Sequence, residues 1–494
     1  MDNSILTLSN IFTVSTGFIF TVIILLLAIV WVIDRTQTKH TIRRNYPIFG
    51  RFRWIAEEAG VFVREYFIND ERKEDPFSAH DRRYVYASSK DQTRNKAFGT
   101  TLENRHNNYS FIHSQFPYLQ EVKHASEITF GEDTPNPYTT ISRFNVSGMS
   151  YGALSANAVS ALSQGMKIAG GWLNTGEGGI SKFHRNGGAD LVFQIGTAKY
   201  NVGNDDQTLN IEKLKDVCKD SQIKMVELKL SQGAKPGKGG ILPAKKVNKE
   251  ISEARGIPVG TASISPNRHI EADNLNNLFE LIYKIKKNSE KPTGIKMCLG
   301  SPEQLDVFLQ GMVDKLNDPT IEDAHNFIPS FITIDSSDGG TGAAPSAFLD
   351  HMGMNITESL PLLNRKLNQY KLRDKIKIIA SGKLINPASA AWAFTQGADV
   401  VVTGRGFLFA QGCIQAKKCN KNTCPTGITS HQRKYTKGLV PEVKAVRVAN
   451  YHKNMTHDLM DIAHACGVRS FENLNETHLR KNKFNSDIQF TQVQ

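Results

Sequence analysis

The stretch FITIDSSDGGTGAAP, residues 331–345, joins an apolar, β-branched run to a loop rich in glycine. Residues 331–336 predict a buried strand, and the glycines and serines that follow predict its end. Seven similar apolar runs recur between residues 140 and 405 and are also predicted as strands. They lie at 143–148, 171–176, 191–196, 225–231, 294–299, 376–382 and 399–405.

Helical segments lie between several of these strands. Ser155 predicts the N-cap of a helix that ends at Gly170, and Asn386 that of a helix that ends near Gly397. Alternating strands and helices predict a parallel sheet with crossover helices. Eight such units predict an α/β fold of the (β/α)8 TIM-barrel type. A doubly wound open sheet is the alternative, although no G-x-G-x-x-G motif opens the first unit.

The N-terminus predicts a single membrane anchor. Residues 11–33 carry no charged side chain, and these 23 positions are enough to cross a hydrocarbon core. A cleaved signal peptide is disfavoured, because no Lys or Arg precedes the run and no small-residue cleavage site follows. Basic residues stay on the cytoplasmic side, so the catalytic part is expected in the cytoplasm, at the cytoplasmic membrane. The basic residues that follow the run are Arg35, Lys39, Arg43 and Arg44.

Composition and charge narrow the classes of partner. The 494-residue chain is 40% hydrophobic and 22% charged, as in folded globular proteins, and its formal net charge is +12. Excess positive charge favours nucleic acid, an anionic membrane surface or acidic ligands. No zinc-finger spacing or RNA-binding aromatic run is present, so no nucleic-acid partner is expected.

Four regions are predicted, at 1–34 (tail and anchor), 35–139 (cap or linker), 140–435 (barrel) and 436–494 (helical tail).

Half of the six cysteines lie within one short segment, GCIQAKKCNKNTCPTGITS, residues 412–430. Cys413, Cys419 and Cys424 have the spacing C-x5-C-x4-C, and Pro425 follows the last of them. So few cysteines in so long a chain do not form a disulfide scaffold. Soft thiolates select iron–sulfur clusters or zinc. Spacing alone leaves open a zinc site with His431 as fourth ligand, or free thiols.

Taken in order, the loops resemble the FMN-binding domain of glutamate synthase, over about residues 140–435. The full-length enzyme begins with a glutaminase domain whose nucleophile is an N-terminal cysteine. This chain opens with Met1 and the predicted anchor, so it is expected to resemble the short, membrane-anchored members, without glutamine hydrolysis. The motifs that carry the resemblance are MSYGALS (149–155), NTGEGG (174–179), KLSQGAKPGKGG (229–240), SISPNRH (263–269), DSSDGGTGAAP (335–345) and GCIQAKKCNKNTCPTG (412–427).

The resemblance implies an FMN site at the carboxyl ends of the barrel strands. Lys296 lies in the apolar run GIKMCL, and a buried lysine needs an anion, which a reduced flavin would supply. An exposed lysine at a strand edge is the alternative. Ring contacts are expected from Met149, Ser150, Gly152 and Asn174, contacts to the ring or ribityl chain from Gly339, Gly340, Thr341 and Gly342, and phosphate contacts from Gly382, Gly404 and Arg405.

The resemblance also assigns a 3Fe-4S cluster to the three clustered cysteines and 2-oxoglutarate binding to Lys229, Gln232 and Arg255. A dicarboxylate needs cations, and arginine can bind a carboxylate through two hydrogen bonds. Alternation along ELKLSQGAK places Glu227 and Lys229 on one face. The role of Glu177 stays open. A solvated basic surface is expected for Lys238, Lys245, Lys246 and Lys249.

The function that these residues predict is reductive amination. Electrons would pass through the cluster to FMN, which would reduce the imine of 2-oxoglutarate and ammonia to L-glutamate. An electron-donor protein, either ferredoxin or a reductase, is the expected partner. Two alternatives remain: a related enzyme that uses an amine to form N-substituted glutamates, and a membrane-associated flavin and iron–sulfur electron relay. The relay is disfavoured because it needs no dicarboxylate site.

Overall fold

The computed structural model describes residues 2–68, 72–100, 109–119 and 122–481. The chain divides between Pro76 and Phe77 into two compact units. This boundary falls inside the predicted 35–139 region, so residues 77–139 belong to the unit that contains the barrel. Residues 482–494 of the predicted C-terminal tail lie outside the described residues.

The first unit is helical, and its first helix contains the predicted anchor. Among the described residues, Phe12–Thr36 is the one helical stretch long and apolar enough to cross a membrane, by length and composition. The helices are α1 (Asp2–Thr36), α2 (Thr41–Asn45) and α3 (Phe52–Val63), with a 3-10 turn at Phe49–Arg51 and a π-turn at Arg64–Ile68.

A buried carboxylate holds the segment after α1 against the end of that helix. Asp34 is fully buried and accepts hydrogen bonds from Arg43 at 2.6 Å and Arg51 at 2.7 Å. The backbone N–H of Ile48 donates to the same carboxylate at 3.1 Å. A buried charge is tolerated when it is paired and hydrogen-bonded, and both conditions are met here. The turn after α1 is therefore fixed by electrostatics.

The second unit is built on a closed barrel. Eight parallel strands pair in the order β4-β5-β6-β7-β10-β11-β12-β13, and β13 closes on β4. This confirms the predicted TIM barrel and excludes the open sheet. Each barrel strand lies at one of the eight predicted positions. In chain order the strands are β1 (Tyr109–Phe111), β2 (Ile128–Phe130), β3 (Tyr138–Thr140), β4 (Phe144–Val146), β5 (Trp172–Asn174), β6 (Asp190–Ile195), β7 (Ile223–Lys229), β8 (Ile241–Leu242), β9 (Ser263–Ile264), β10 (Thr293–Met297), β11 (Phe331–Asp335), β12 (Lys377–Ser381), β13 (Val400–Thr403) and β14 (Leu479–Lys481).

Helices surround the barrel, and their ends follow the predicted caps. The Ser155 hydroxyl accepts from the Ala158 N–H, and Gly170 ends that helix in the left-handed conformation. Asn386 caps its helix in the same way. The helices are α4 (Ala79–Ser89), α5 (Ala156–Ala169), α6 (Lys182–Arg185), α7 (Ile211–Cys218), α8 (Lys249–Arg255), α9 (Leu275–Ser289), α10 (Pro302–Asn317), α11 (Ile356–Gln369), α12 (Pro387–Thr395), α13 (Arg405–Gln411), α14 (Arg433–Thr436) and α15 (Pro441–Ala465).

An apolar plug closes the amino end of the barrel. The β2–β3 hairpin contributes Phe130 and Tyr138 to a buried cluster that also contains Trp172 and Phe331 from inside the barrel. Phe130 and Phe331 meet edge to face, with ring centroids 5.7 Å apart. Polar groups that line the barrel therefore gather at the opposite end, where the strands finish.

Helix α15, predicted as part of a tail, is a wall of the barrel unit. It lies against α5, where a Cβ on Gly165 would meet the backbone carbonyl of Ala445 at 2.7 Å. The hydroxyl of Tyr451 donates to the Ile385 carbonyl at 2.8 Å, close to the start of α12. The close packing requires glycine at position 165, because any larger residue would push the two helices apart.

Candidate active site at the carboxyl end of the barrel

The loops after β4 and β5 lie against each other through glycine. A Cβ at Gly148 would lie 2.8 Å from Gln194 Nε2 and 2.9 Å from Asn174 Oδ1. Gly176, with φ of +67°, lies against the backbone of Met149 and Ser150. The structure therefore brings together three of the predicted ring contacts, Met149, Ser150 and Asn174. Glycine at positions 148 and 176 is what lets the two loops lie this close together.

Glu227 is the centre of a buried hydrogen-bond network that the sequence did not single out. Its side chain lies inside the barrel, and the residue is 2% exposed. One carboxylate oxygen accepts from Asn174 Nδ2 at 2.8 Å and Gln194 Nε2 at 2.6 Å. The other accepts from the Thr333 hydroxyl at 2.5 Å. These donors come from β5, β6 and β11, so one carboxylate fixes polar side chains of three strands.

Lys296 is buried, as predicted, and its nearest anion is a protein carboxylate. Its Nζ lies 3.5 Å from Asp335 Oδ1. Asp335 also accepts from the Ser381 hydroxyl at 2.7 Å and from the Gly233 N–H at 2.9 Å. Lys296, Asn174 and Glu227 line one small cavity inside the barrel mouth. The exposed-edge alternative for Lys296 is wrong, and its contact with a flavin stays a prediction.

The glycines predicted to bind phosphate lie at tight backbone positions. Gly382 has a φ of +154°, and a Cβ there would collide with the Cβ of Ser336. A Cβ at Gly404 would lie 3.2 Å from the sulfur of Met149. Both glycines lie at the ends of β12 and β13, which is where TIM barrels hold phosphate. These residues fit an FMN phosphate, and the contact stays a prediction.

Arg405 points to a different loop from these two glycines. Its guanidinium lies over the Phe77 ring, 4.4 Å from the centroid, and Nη2 lies 3.4 Å from the Asp338 carbonyl. A Cβ at Gly340 would lie 2.9 Å from Nη1. The structure therefore places Arg405 beside the Gly339–Gly342 loop. Burial lowers the pKa of its guanidinium, as expected when no carboxylate is bonded to it.

Replacing Gly382 by alanine is expected to destabilise the barrel unit by about 2 kcal/mol or more, because the methyl group has no space. Gly170 is the matched control, since it has a φ of +71° and no atom within 4 Å of its Cβ position. Gly170→Ala is expected to cost only about 1 kcal/mol, from backbone strain alone. Thermal unfolding of the detergent-solubilised chain measures both, and equal losses would contradict the steric argument.

Two of the three predicted substrate residues meet beside Glu177. Lys229 Nζ donates to Gln232 Oε1 at 2.9 Å and lies 3.0 Å from Glu177 Oε1. Lys235, 2% exposed, lies 3.7 Å from the same oxygen. Burial raises the pKa of Glu177, but the charges of Lys229 and Lys235 outweigh it and hold the pKa at about 2. Glu177 is therefore an anion in the middle of a cationic cluster.

Arg255 approaches the same loop from α8. Nη1 donates to the Ser263 hydroxyl at 2.8 Å and Nη2 to the Tyr151 carbonyl at 3.1 Å, whereas Nε has no partner. A Cβ at Gly178 would lie 2.9 Å from Nη2. Gly178 directly follows Glu177, so the guanidinium contacts the loop that carries Glu177. These two bonds use two of its five N–H donors, so a two-point grip on a ligand carboxylate through Nε and one Nη does not require Arg255 to give them up.

The low pKa of Glu177 predicts a specific loss of stability in acid. The pKa of this carboxyl is about 2 in the folded chain, whereas its ordinary value, which applies to the unfolded chain, is 4.5. Ionised Glu177 therefore stabilises the fold in full above pH 4.5. That stabilisation, on the order of 2 kcal/mol, is lost as the pH falls from about 5 to 2. Glu177→Gln should therefore flatten the dependence of Tm on pH in this range. Glu212→Gln, at a carboxylate that is 83% exposed, should leave the dependence unchanged.

The cysteine segment contacts the loop that contains Gly342. A Cβ at Gly342 would lie 3.5 Å from Cys419 Cβ, so the loop predicted to approach FMN touches this segment at Cys419. Cys424 is 8% exposed, and its sulfur lies 3.3 Å from the Thr426 hydroxyl. Whether the thiols hold a metal group stays a prediction.

The cysteines do not surround one point. Zinc–sulfur bonds of about 2.3 Å keep two sulfurs on one ion within about 4.6 Å of each other. Among the described residues, no set that includes Cys413, Cys419, Cys424 or His431 has three ligand atoms within 4.8 Å of one another. His431 Nε2 instead bonds to the Gly152 carbonyl at 2.8 Å. The described residues therefore do not hold a preformed zinc site at these cysteines, and the identity of a group on them stays a prediction.

One of the four lysines predicted as solvated surface is buried. Lys238, Lys245 and Lys249 are exposed as predicted, but Lys246 is 3% exposed, so the prediction for it is wrong. Lys246 Nζ donates to the carbonyls of Cys419 at 3.0 Å and Thr429 at 2.9 Å. The cysteine segment folds over it from 173 positions further along the chain, which local sequence cannot reveal.

Comparison with known proteins gives one consistent family. Residues 81–469 match the family model described as a conserved region in glutamate synthase. The chain is 34% identical to the glutamate synthase large subunit-like protein YerD of Bacillus subtilis, over 94% of each chain. It is also 34% identical to the archaeal-type glutamate synthase [NADPH] of Thermotoga neapolitana, over 66% of this chain and 59% of that protein.

The archaeal glutamate synthase [NADPH] of Methanocaldococcus jannaschii gives a similar match, 34% identical over 67% of this chain and 60% of its own length. The chain thus spans about three fifths of those two synthases but nearly all of the Bacillus protein. The family match covers the whole barrel, including the loops from Met149 to Cys424. The chain therefore belongs to the glutamate synthase family.

Proposed function

We propose that this protein is a flavin-dependent oxidoreductase that forms L-glutamate from 2-oxoglutarate and ammonia. The observation that carries the proposal is the cluster of Lys229, Gln232 and Lys235 around Glu177, at the carboxyl end of a barrel of the glutamate synthase family. Ammonium groups placed together bind a dicarboxylate, and the barrel mouth is where TIM-barrel enzymes act. The names of the relatives support the same reaction.

The residues at the barrel mouth suit FMN, which would supply two-electron chemistry, while a 3Fe-4S cluster on the cysteines would supply one-electron transfer. Met149, Ser150, Gly152 and Asn174 would face the ring. The glycines at 339, 340 and 342 with Thr341 would approach the ring or ribityl chain, and Gly382 and Gly404 would hold the phosphate. Arg405 would join them at the phosphate by turning from its position beside Gly340. Glu227 keeps Asn174 in place through their 2.8 Å hydrogen bond.

The chain's own side chains would orient the substrate. Lys229 and Arg255 would bind its carboxylates, with Gln232 donating to the same groups through its amide. Since Lys229 is already 3.0 Å from Glu177, a substrate carboxylate would have to compete with, or displace, that anion. Lys296, paired with Asp335 at 3.5 Å, would keep a fixed positive charge beside the reacting centre.

We also propose that α1 anchors the protein in the cytoplasmic membrane with the barrel unit in the cytoplasm. The uncharged run in Phe12–Thr36 and the basic residues after it support this topology. The source of electrons is proposed to be a separate protein, either ferredoxin or a reductase that uses NAD(P)H.

Replacing Lys229 by methionine is expected to raise KM for 2-oxoglutarate at least about 10-fold, because one carboxylate loses its cation. Lys238→Met is the matched control, since that lysine lies in the same loop but is exposed, and its KM should not change. Reduced protein is assayed for glutamate with 2-oxoglutarate and ammonia, and with methylamine in place of ammonia. Failure to bind 2-oxoglutarate would favour the electron relay, whereas turnover with methylamine alone would favour the N-substituted product.

A further inference from the structure

Lys246 is a buried ammonium group in an unusual position. Lys246 is the last residue of a 3-10 turn, Ala244–Lys246. Its Nζ contacts the backbone of the cysteine segment at Cys419. Two of its three N–H donors are used by the carbonyls of Cys419 and Thr429. Carbonyl oxygens are neutral, so they satisfy hydrogen bonds but leave the charge itself uncompensated.

No carboxylate takes that role. Within the part of the chain that the structure describes, Lys246 forms no ion pair with Asp or Glu at 4.0 Å or less, unlike Lys199, Lys286 and Lys296, which are equally buried. The two carbonyls that bond to Lys246 lie on either side of Cys424 in the sequence, and one of them belongs to Cys419 itself. A buried cation without an anion is strongly unfavourable, so this position suits a bound group that brings negative charge to the cysteine segment.

A second polar group, just before the cysteine segment, also lacks a partner. Gln411, two residues before Cys413, is 1% exposed, and among the described residues neither its amide oxygen nor its amide nitrogen has a hydrogen-bond partner. Buried amides are almost always bonded. An unbonded amide beside the first cysteine is therefore consistent with a polar group that completes this part of the chain.

We propose that Lys246 is the counter-ion of the iron–sulfur cluster and raises its reduction potential. The inference rests on the proposed function, because it takes the cluster as the group on the cysteines. Reduction adds one electron, and therefore one negative charge, to the cluster. A fixed positive charge nearby stabilises the reduced form more than the oxidised form. Lys246 would thereby favour transfer of an electron from the donor to the cluster, which then reduces the flavin.

Three substitutions of Lys246 separate its charge from its hydrogen bonds. Lys246→Gln keeps two N–H donors for the two carbonyls but removes the charge, and Lys246→Met removes both. Lys246→Arg keeps the charge and changes the shape. Lys245→Met is the matched control, since that lysine is in the same turn but exposed to solvent, which screens it.

The test is an EPR-monitored redox titration of the full chain, purified anaerobically in detergent, with dithionite as reductant and ferricyanide as oxidant. Iron and sulfide are quantified in each sample. Lys246→Gln and Lys246→Met are expected to move the midpoint potential of the cluster to more negative values. Lys246→Arg should stay close to the wild-type potential, and Lys245→Met should move it by less than about a third as much.

A wild-type potential in Lys246→Gln would overturn the proposal, because only the hydrogen bonds would then matter. If the neutral variants lose iron, retention of iron by Lys246→Arg still supports a charge requirement, and loss of iron from Lys246→Arg as well overturns it. Iron-free wild-type protein would refute the cluster itself. Wild-type protein that holds iron but makes no glutamate would refute the proposed function and leave the Lys246 titration decisive.

Discussion

Replacing Cys424 by serine is expected to remove iron from the protein while leaving the barrel folded and able to bind FMN. Glutamate formation driven by a one-electron donor should fall more than roughly 100-fold. Loss of a residue that only hydrogen-bonds to a metal ligand already costs up to about that much. A serine oxygen is a hard, neutral donor and replaces a soft thiolate poorly. Because Cys424 is 8% exposed, water cannot easily enter to take its place.

The structure offers a matched control for this change. Cys466 follows α15, is also 8% exposed, and lies outside the cysteine segment, so Cys466→Ser changes the same atom at the same burial. It should keep full iron and full activity. Iron, zinc, sulfide and FMN are measured in both variants and in wild-type protein. Zinc in wild-type protein that disappears in Cys424→Ser would contradict the cluster and restore the zinc alternative.

A second electron source shows whether the group on the cysteines transfers electrons to the flavin or only stabilises the structure. Light-driven reduction of the flavin does not need the cysteines, so Cys424→Ser should still make glutamate when its flavin is reduced in this way. Loss of that activity too, with FMN still bound, would mean that the metal group holds the barrel mouth together. The contact between Gly342 and Cys419 is the structural reason to test for such a role.

The barrel could be predicted from sequence because its signals are local. Runs such as 331–336 are mostly apolar over a strand's length and are followed by serine and glycine, and all eight became barrel strands. Caps such as Ser155 and Asn386 lie next to the helices that they begin. Local chemistry also showed that Lys296 is unusual, since a charge in an apolar strand has few alternatives to burial.

What could not be predicted depends on contacts between distant parts of the chain. Glu227 lies 106 positions from Thr333, which donates to it, and nothing beside Glu227 in sequence marks it as a shared acceptor. Lys246 lies among exposed lysines and is buried only because the cysteine segment covers it. The boundary at Pro76/Phe77 was also hidden, because it depends on which helices pack together.

Removing the Glu227 carboxylate is expected to have the largest effect on stability of any single change at the site. Glu227→Ala would leave Asn174 Nδ2, Gln194 Nε2 and the Thr333 hydroxyl without an acceptor in a closed interior. Buried donors that lose a charged partner, together with the cavity, cost about 3 kcal/mol or more. Thermal unfolding should show a Tm lower by several degrees, and FMN content should fall because Asn174 is released.

Glu227→Gln is expected to lower the free energy of unfolding much less than Glu227→Ala does, because of how the three donors are divided between the two carboxylate oxygens. Both amide donors converge on one oxygen, and only the Thr333 hydroxyl bonds to the other. A glutamine can keep its oxygen toward the two amides and turn its NH2 toward Thr333. A hydroxyl can accept as well as donate, so Thr333 keeps one hydrogen bond to the glutamine, although its own O–H loses its acceptor.

This rescue depends on Thr333, which makes it testable by a double-mutant cycle. Thr333→Val removes the hydroxyl, so the glutamine NH2 in the double variant has no acceptor and is buried unpaired. Thr333→Val alone already leaves one buried Glu227 oxygen without its donor, so the two changes together should cost about 1 kcal/mol less than the sum of the single changes. Glu253→Gln with Thr333→Val is the control pair, since Glu253 is exposed and should give additive losses. Additive losses for the Glu227 pair would show that Thr333 does not accept from the amide. The network would then depend on the negative charge of Glu227 rather than on its pattern of acceptors.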